Sequence, residues 1–128
     1  MVGILVVTHN ALGESMVDCV KHVLGEVPHN LKVLSVYATD DPQLKLSEGE
    51  LLIKQLDSGS GVLILTDIYG ATPSNLGRQL CHTERVKGVA GLNRPMLLRV
   101  VCHPNKTMPE LARVALEGGR DSIVYMED

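Results

Sequence analysis

The chain contains no tryptophan and no phenylalanine, and Tyr37, Tyr69 and Tyr125 are its whole aromatic complement. So few rings offer no stacking platform for unpaired bases. The 12 Lys/Arg are outnumbered by 15 Asp/Glu and nowhere clustered, so a basic footprint is missing as well. Nucleic acid is therefore not an expected partner. Cysteine is scarce: Cys19, Cys81 and Cys102 are odd in number and show no C-x-x-C spacing. That pattern argues against a disulfide framework and for buried or half-buried free thiols. Cys81-His82 and Cys102-His103 lack the spacer that zinc ligands use, so no metal or other cofactor is expected. Long apolar runs are missing too. The longest, Ile4 to Val7 with Val2 nearby, is far too short to span a bilayer, and no basic stretch precedes it as in a signal peptide. No membrane insertion and a cytoplasmic location are expected.

What the chain does have is enough apolar material for one core. Its 128 residues are 45% hydrophobic, which predicts a single domain over residues 1–128 that needs no staple. Gly3 to Thr8 and Gly61 to Thr66 are continuous β-branched runs, the pattern of central strands covered on both faces. Leu31 to Tyr37, Val86 to Leu92 and Ser122 to Met126 are weaker strand candidates.

Helical patterns fill the gaps. Residues 11–24 place Leu12, Met16, Cys19, Val20, Val23 and Leu24 on one face. Asp41-Pro42 and Ser47-x-x-Glu50 compete as starts of a second helix that ends near Gly59. Thr72-Pro73 reads as a cap followed by proline at the first helical position, Asn93 and Pro95 open a short helix to Val101, and Thr107-x-x-Glu110 is a capping box for a last helix ended by Gly118-Gly119. The order βαβαβαβααβ predicts an α/β fold, a mostly parallel doubly wound sheet with helices on both faces. In such sheets ligands collect just beyond the carboxyl ends of the strands.

At those ends lies the chemistry. The first strand is followed by His9 and the third by Asp67. If the two strands are parallel neighbours, the carboxylate can accept the imidazole Nδ1 proton, fixing the tautomer and leaving Nε2 as a nucleophile. Gly70-Ala71-Thr72-Pro73 then turns the chain tightly into a helix whose free N–H groups and positive dipole end make an anion seat. A nucleophilic histidine beside an anion seat suits transient phosphorylation of His9, with backbone donors stabilising the transferred group. His22, His29, His82 and His103 read as solvated or C-capping residues, and the segment Asn10 to Ser15 as a weak second phosphate loop lacking the P-loop lysine.

These residues resemble a known family, the IIA component of the mannose-type phosphoenolpyruvate-dependent sugar phosphotransferase system. The likeness rests on Val7-Thr8-His9, on Thr66-Asp67-Ile68-Tyr69-Gly70-Ala71-Thr72-Pro73-Ser74-Asn75, on Gly91-Leu92-Asn93-Arg94-Pro95-Met96-Leu97, and on Gly119-Arg120. It implies that His9 accepts the phosphoryl group from the phosphocarrier HPr, that Asp67 holds the ring, and that Thr72, with Gly70 and Ala71, lies near the phosphoryl group. It implies four parallel strands plus an antiparallel fifth edge strand, Ser122 to Met126, exchanged between subunits of a homodimer. Ala71 and Ser74 stand where the family often has glycine and phenylalanine, which alters the surface offered to a partner. Because the sequence ends at Asp128, the expected acceptor is a separate IIB protein, or else the phosphorylation state is itself a regulatory output. Competing readings are the phosphocarrier subunit that feeds dihydroxyacetone kinase and a non-catalytic regulatory binding protein. A Ser74 or Ser15 hydrolase lacks the G-x-S-x-G elbow, and an aspartate-phosphorylated receiver domain lacks acids after the first strand.

Overall fold

A computed structural model describes residues 1–127. Strand β1 (Gly3–His9), helix α1 (Leu12–Leu24), β2 (Leu31–Val36), α2 (Pro42–Leu56), β3 (Val62–Thr66), α3 (Thr72–Leu80), β4 (Val86–Ala90), α4 (Arg94–Val101) and α5 (Met108–Asp121) follow one another along the chain. The four strands form one parallel sheet in the order β2-β1-β3-β4. Chain order reverses between β1 and β3, so the switch point that such sheets use for ligands lies where His9 and Asp67 leave their strands.

The period of two in the strands sorts the core into two layers. Ile4, Val6, Leu63 and Leu65 pack with Val20 of α1, Met96, Leu97 and Val100 of α4, and Leu111 and Ala115 of α5. Leu5, Val7, Val62 and Ile64 face the other way, against Leu56 of α2 and Leu76 and Leu80 of α3. Both faces of β1 and β3 are thus covered, which is why these strands read as unbroken apolar runs.

Several element ends differ from the sequence expectation. The second helix uses the earlier start, with the Asp41 side chain accepting from the Gln43 N–H at 2.9 Å ahead of Pro42. Gly118 and Gly119 do not end the last helix but lie buried inside it. A Cβ there would come within 3.1 Å of the Arg99 side chain and 2.8 Å of the Met96 methyl, so these glycines serve the close approach of α5 to α4. Cys19 and Cys81 are partly buried, whereas Cys102 is exposed, against expectation, because α4 ends before it.

Among the described residues of the single chain, no fifth strand is present. Beyond α5, residues 122–126 pair with no strand among the described residues, and Ile123, Val124, Tyr125 and Met126 are 72–90% exposed. The N–H of Val62 donates to Arg85 O and that of Gly91 to Thr66 O; by the alternation of a parallel ladder, the backbone groups of Val86, Gly88 and Ala90 point outward from the edge of β4. Among the described residues no helix is long and apolar enough to cross a membrane.

Candidate functional site

β1 delivers His9 to the sheet edge with its ring half exposed, while β3 delivers Asp67 as a largely buried neighbour; their side chains are 46% and 11% exposed. The Asp67 Oδ2 accepts twice from His9, from the backbone N–H at 3.0 Å and from ring Nδ1 at 2.8 Å, and Oδ1 accepts from the Ile68 N–H at 3.0 Å. Burial pushes the Asp67 carboxyl up, but these bonds outweigh it and hold the group below the ordinary carboxylate range. An ionised carboxylate only accepts, so the proton of the pair sits on Nδ1. In the neutral ring this leaves the lone pair on Nε2, which makes no hydrogen bond among the described residues.

Asn10, next along, takes a left-handed conformation, φ 48°, and its N–H donates to Val36 O at 2.9 Å. This locks the chain direction immediately after the histidine. Thr8 contributes from below: its buried Oγ1 accepts from the Gly13 N–H at 2.8 Å, and an added Cβ at Gly13 would lie 2.9 Å from that oxygen. In the Asn10 to Ser15 segment the N–H groups of Gly13 and Ser15 are committed to Thr8 and to Ala11 O. Sequence reasoning missed Thr8 and Asn10 as holders of His9; the signal available was a polar residue inside an otherwise apolar strand.

Gly70 turns the chain at φ 88° with open space around it, so it sets direction and does not pack against a ligand wall. Ala71, not Thr72, is the N-cap of α3, and no side chain caps this helix. This corrects the reading of Thr72 as a cap: its hydroxyl is free of the helix. The N–H groups of Thr72 and Ser74 have no partner among the described residues, while that of Asn75 donates to Ala71 O. Thr72 lines the same cleft as His9, a space of about 550 Å³ between α3 and the segment after β2; Gly70 and Ala71 do not line it. Of the remaining histidines, His103 accepts the C-capping role expected of it, its Nδ1 lying 2.6 Å from Arg99 O.

Fold and site together define a doubly wound α/β protein with an aspartate-held histidine beside a helix N-terminus at the switch point. The chain belongs to the mannose-type IIA family of the phosphotransferase system: the family model described as PTS system fructose IIA component matches residues 3–114. It is 26% identical over 125 residues to the mannose-specific EIIAB component of Escherichia coli K12. The match covers 95% of this chain and 38% of that relative, so the chain spans well under half the length of the curated relatives it matches. Among solved structures, the mannose/sorbose specific IIA subunit from Enterococcus faecalis superposes with a TM-score of 0.87 at 21% identity, covering 98% of this chain and 95% of the other. An EIIA component from Streptococcus agalactiae gives 0.83 at 20% identity, covering 98% and 97%.

Proposed function

We propose that the chain is a phosphohistidine carrier of a sugar phosphotransferase system, a single IIA domain with His9 as the phosphorylated residue. The observation that carries this reading is the ring held through Nδ1 by Asp67, with Nε2 free, beside the uncapped start of α3. In the proposed reaction the Nε2 lone pair attacks the phosphorus of phosphohistidine on HPr, the donor's P–N bond breaks with its electrons returning to the donor ring, and Asp67 stabilises the positive charge that develops on His9. Thr72 and the N–H groups at the start of α3 take the phosphoryl oxygens, with Gly70 and Ala71 setting the turn that aims them. The residues invoked supply attack, charge stabilisation and orientation themselves.

The group then passes to a IIB protein or serves as a regulatory signal. The protein works in the cytoplasm as a homodimer in which residues 122–126 add to an open sheet edge of the partner. Support for the last point is the exposed apolar tail, which water disfavours, in a molecule with an unpaired edge at β4.

The test is incubation with phosphoenolpyruvate, the general phosphotransfer enzyme and HPr, read by intact mass and phosphorus NMR. One acid-labile phosphoryl group that is absent from His9→Ala is the expected result. Labelling retained in His9→Ala would move the nucleophile elsewhere, and no labelling of the native chain would refute the carrier role.

A further inference from the structure

The cleft beside His9 holds more hydrogen-bonding capacity than an attacking imidazole and a phosphoryl seat use. The chain has eight carboxamide side chains, and four of them, Asn10, Gln43, Asn75 and Gln79, line this one space. None of the four side chains makes a hydrogen bond among the described residues, whereas Asn30 and Asn93 elsewhere are bonded to the backbone at Val2 and at Gly119 and Met96. The four come from three separate places: the end of β1, the first turn of α2, and successive turns of α3.

Tyr37 adds an aromatic wall, 43% exposed, held by the Asp40 carboxylate accepting from its backbone N–H at 2.7 Å. Lys45 stands at the same wall with its charge shared between Glu48 at 3.1 Å and Asp40 at 3.7 Å, so the two carboxylates outnumber the cation and this end of the cleft favours the hydroxyl end of a ligand over its phosphate. Pro42, Pro73 and Leu76 make the rest of the lining stiff or apolar. At about 550 Å³ the space is of small-molecule size.

A carboxamide both donates and accepts, which suits hydroxyl groups, since these also do both. An aromatic face suits the C–H face of a sugar ring or polyol. An uncapped helix start suits a phosphate. We propose that this cleft binds a phosphate monoester of a small polyhydroxy compound, its phosphate at the start of α3 beside His9 and its hydroxyls against the four carboxamides. Occupancy covers Nε2 and so competes with the phosphoryl donor, which gives the carrier an off-switch responding to a phosphorylated metabolite. The seat for the phosphate rests on the phosphocarrier reading; the carboxamide wall does not.

The experiment is a titration of the full chain, ¹⁵N-labelled, with glucose 6-phosphate, glucose and inorganic phosphate, following backbone and side-chain amide signals. The same preparation is assayed for phosphoryl acceptance from HPr with and without glucose 6-phosphate. Expected are saturable shifts at Gln43, Asn75 and Gln79, an affinity for glucose 6-phosphate at least ~10-fold above that for either glucose or inorganic phosphate, and slower labelling at saturation. Gln43→Leu and Gln79→Leu should each weaken glucose 6-phosphate binding by ~5-fold or more while leaving inorganic phosphate binding within twofold. Equal affinity for inorganic phosphate and the sugar phosphate would reduce the cleft to an anion seat and overturn the proposal. So would shifts that map elsewhere. Because the ligand series is run on the native chain, a variant that fails to fold leaves the proposal open to refutation. Labelling by HPr without sugar phosphate binding would sink this inference and leave the carrier role intact; binding without any labelling would refute the carrier role and, with it, the off-switch.

Discussion

Strand β3 carries an aspartate beyond each of its ends, and the two do opposite work. Asp57, before the strand, meets a permanent cation: Arg85 donates from Nε at 2.9 Å and Nη2 at 2.7 Å, and the Gly59 and Gly61 N–H groups donate to Oδ1. Asp67, after the strand, meets a histidine that can gain and lose charge. Asp57 closes a clamp between the α2–β3 turn and the start of β4. Asp67 holds a ring by one nitrogen so that the other stays available. A carboxylate bound to a fixed charge gives stability, whereas one bound to a titratable group also tunes chemistry, and position at the carboxyl edge of the sheet decides which role has a ligand to act on.

The comparison can be broken most sharply at the aspartates. Asp67→Ala should slow phosphoryl acceptance from HPr by ~100-fold or more, with the circular dichroism spectrum unchanged, because the ring loses its orienting partner. Asp57→Ala should leave that rate within twofold while lowering the urea midpoint. Equal rates in the two variants would make the ends of β3 equivalent.

Next come the glycines at the same two ends. Gly61 and Gly70 both have left-handed backbones, φ 85° and 88°, but a Cβ at Gly61 would overlap the Arg85 carbonyl oxygen, whereas the space at Gly70 is open. Gly61→Ala should therefore cost at least ~2 kcal/mol by urea unfolding, and Gly70→Ala only ~1 kcal/mol from the backbone conformation alone. A larger loss at Gly70 would mean that the loop packs more tightly than its surroundings indicate.

The smallest effect is the pH response of the clamp. Asp57 accepts hydrogen bonds from the Arg85 side chain and from the Gly59 and Gly61 N–H groups, which against a partial desolvation cost lower its carboxyl from 3.8 to about 2. A lowered folded-state value contributes stability that is present above pH 3.8 and is lost as the pH falls toward 2. Asp57→Asn should thus be less stable than the native chain at neutral pH, and the difference in urea midpoint should close between about pH 4 and pH 2. A gap that persists at pH 2 would assign the loss to packing instead of charge.

Much of this architecture was legible in the sequence, for identifiable reasons. β1 and β3 announce themselves because both faces are covered, and α5 begins where its capping box says, with Thr107 Oγ1 and the Glu110 carboxylate each bonded to the other residue's backbone N–H. The proximity of His9 and Asp67 followed from two central strands ending alike. The stop of α5 was misread because a glycine pair usually ends a helix, and only the α4–α5 contact explains why it is tolerated inside one. Thr72 was misread because a threonine before proline is a common cap. The wall of the cleft formed by Tyr37, Gln43 and Lys45 was not visible at all, since it approaches His9 only through the β1–β2 pairing.

The sequence by itself determined the alternation of strands and helices, the two-layer sorting of apolar residues, and the presence of a histidine and an aspartate at strand ends, because each follows from local periodicity and from spacing along the chain. Only the tertiary structure decided that Asp67 grips His9 through Nδ1, that Thr72 is free of the helix cap, that four carboxamides share one cleft, and that residues 122–126 find no partner strand among the described residues. These depend on strand order and register, which are settled by how the buried faces pack and not by any stretch of sequence alone.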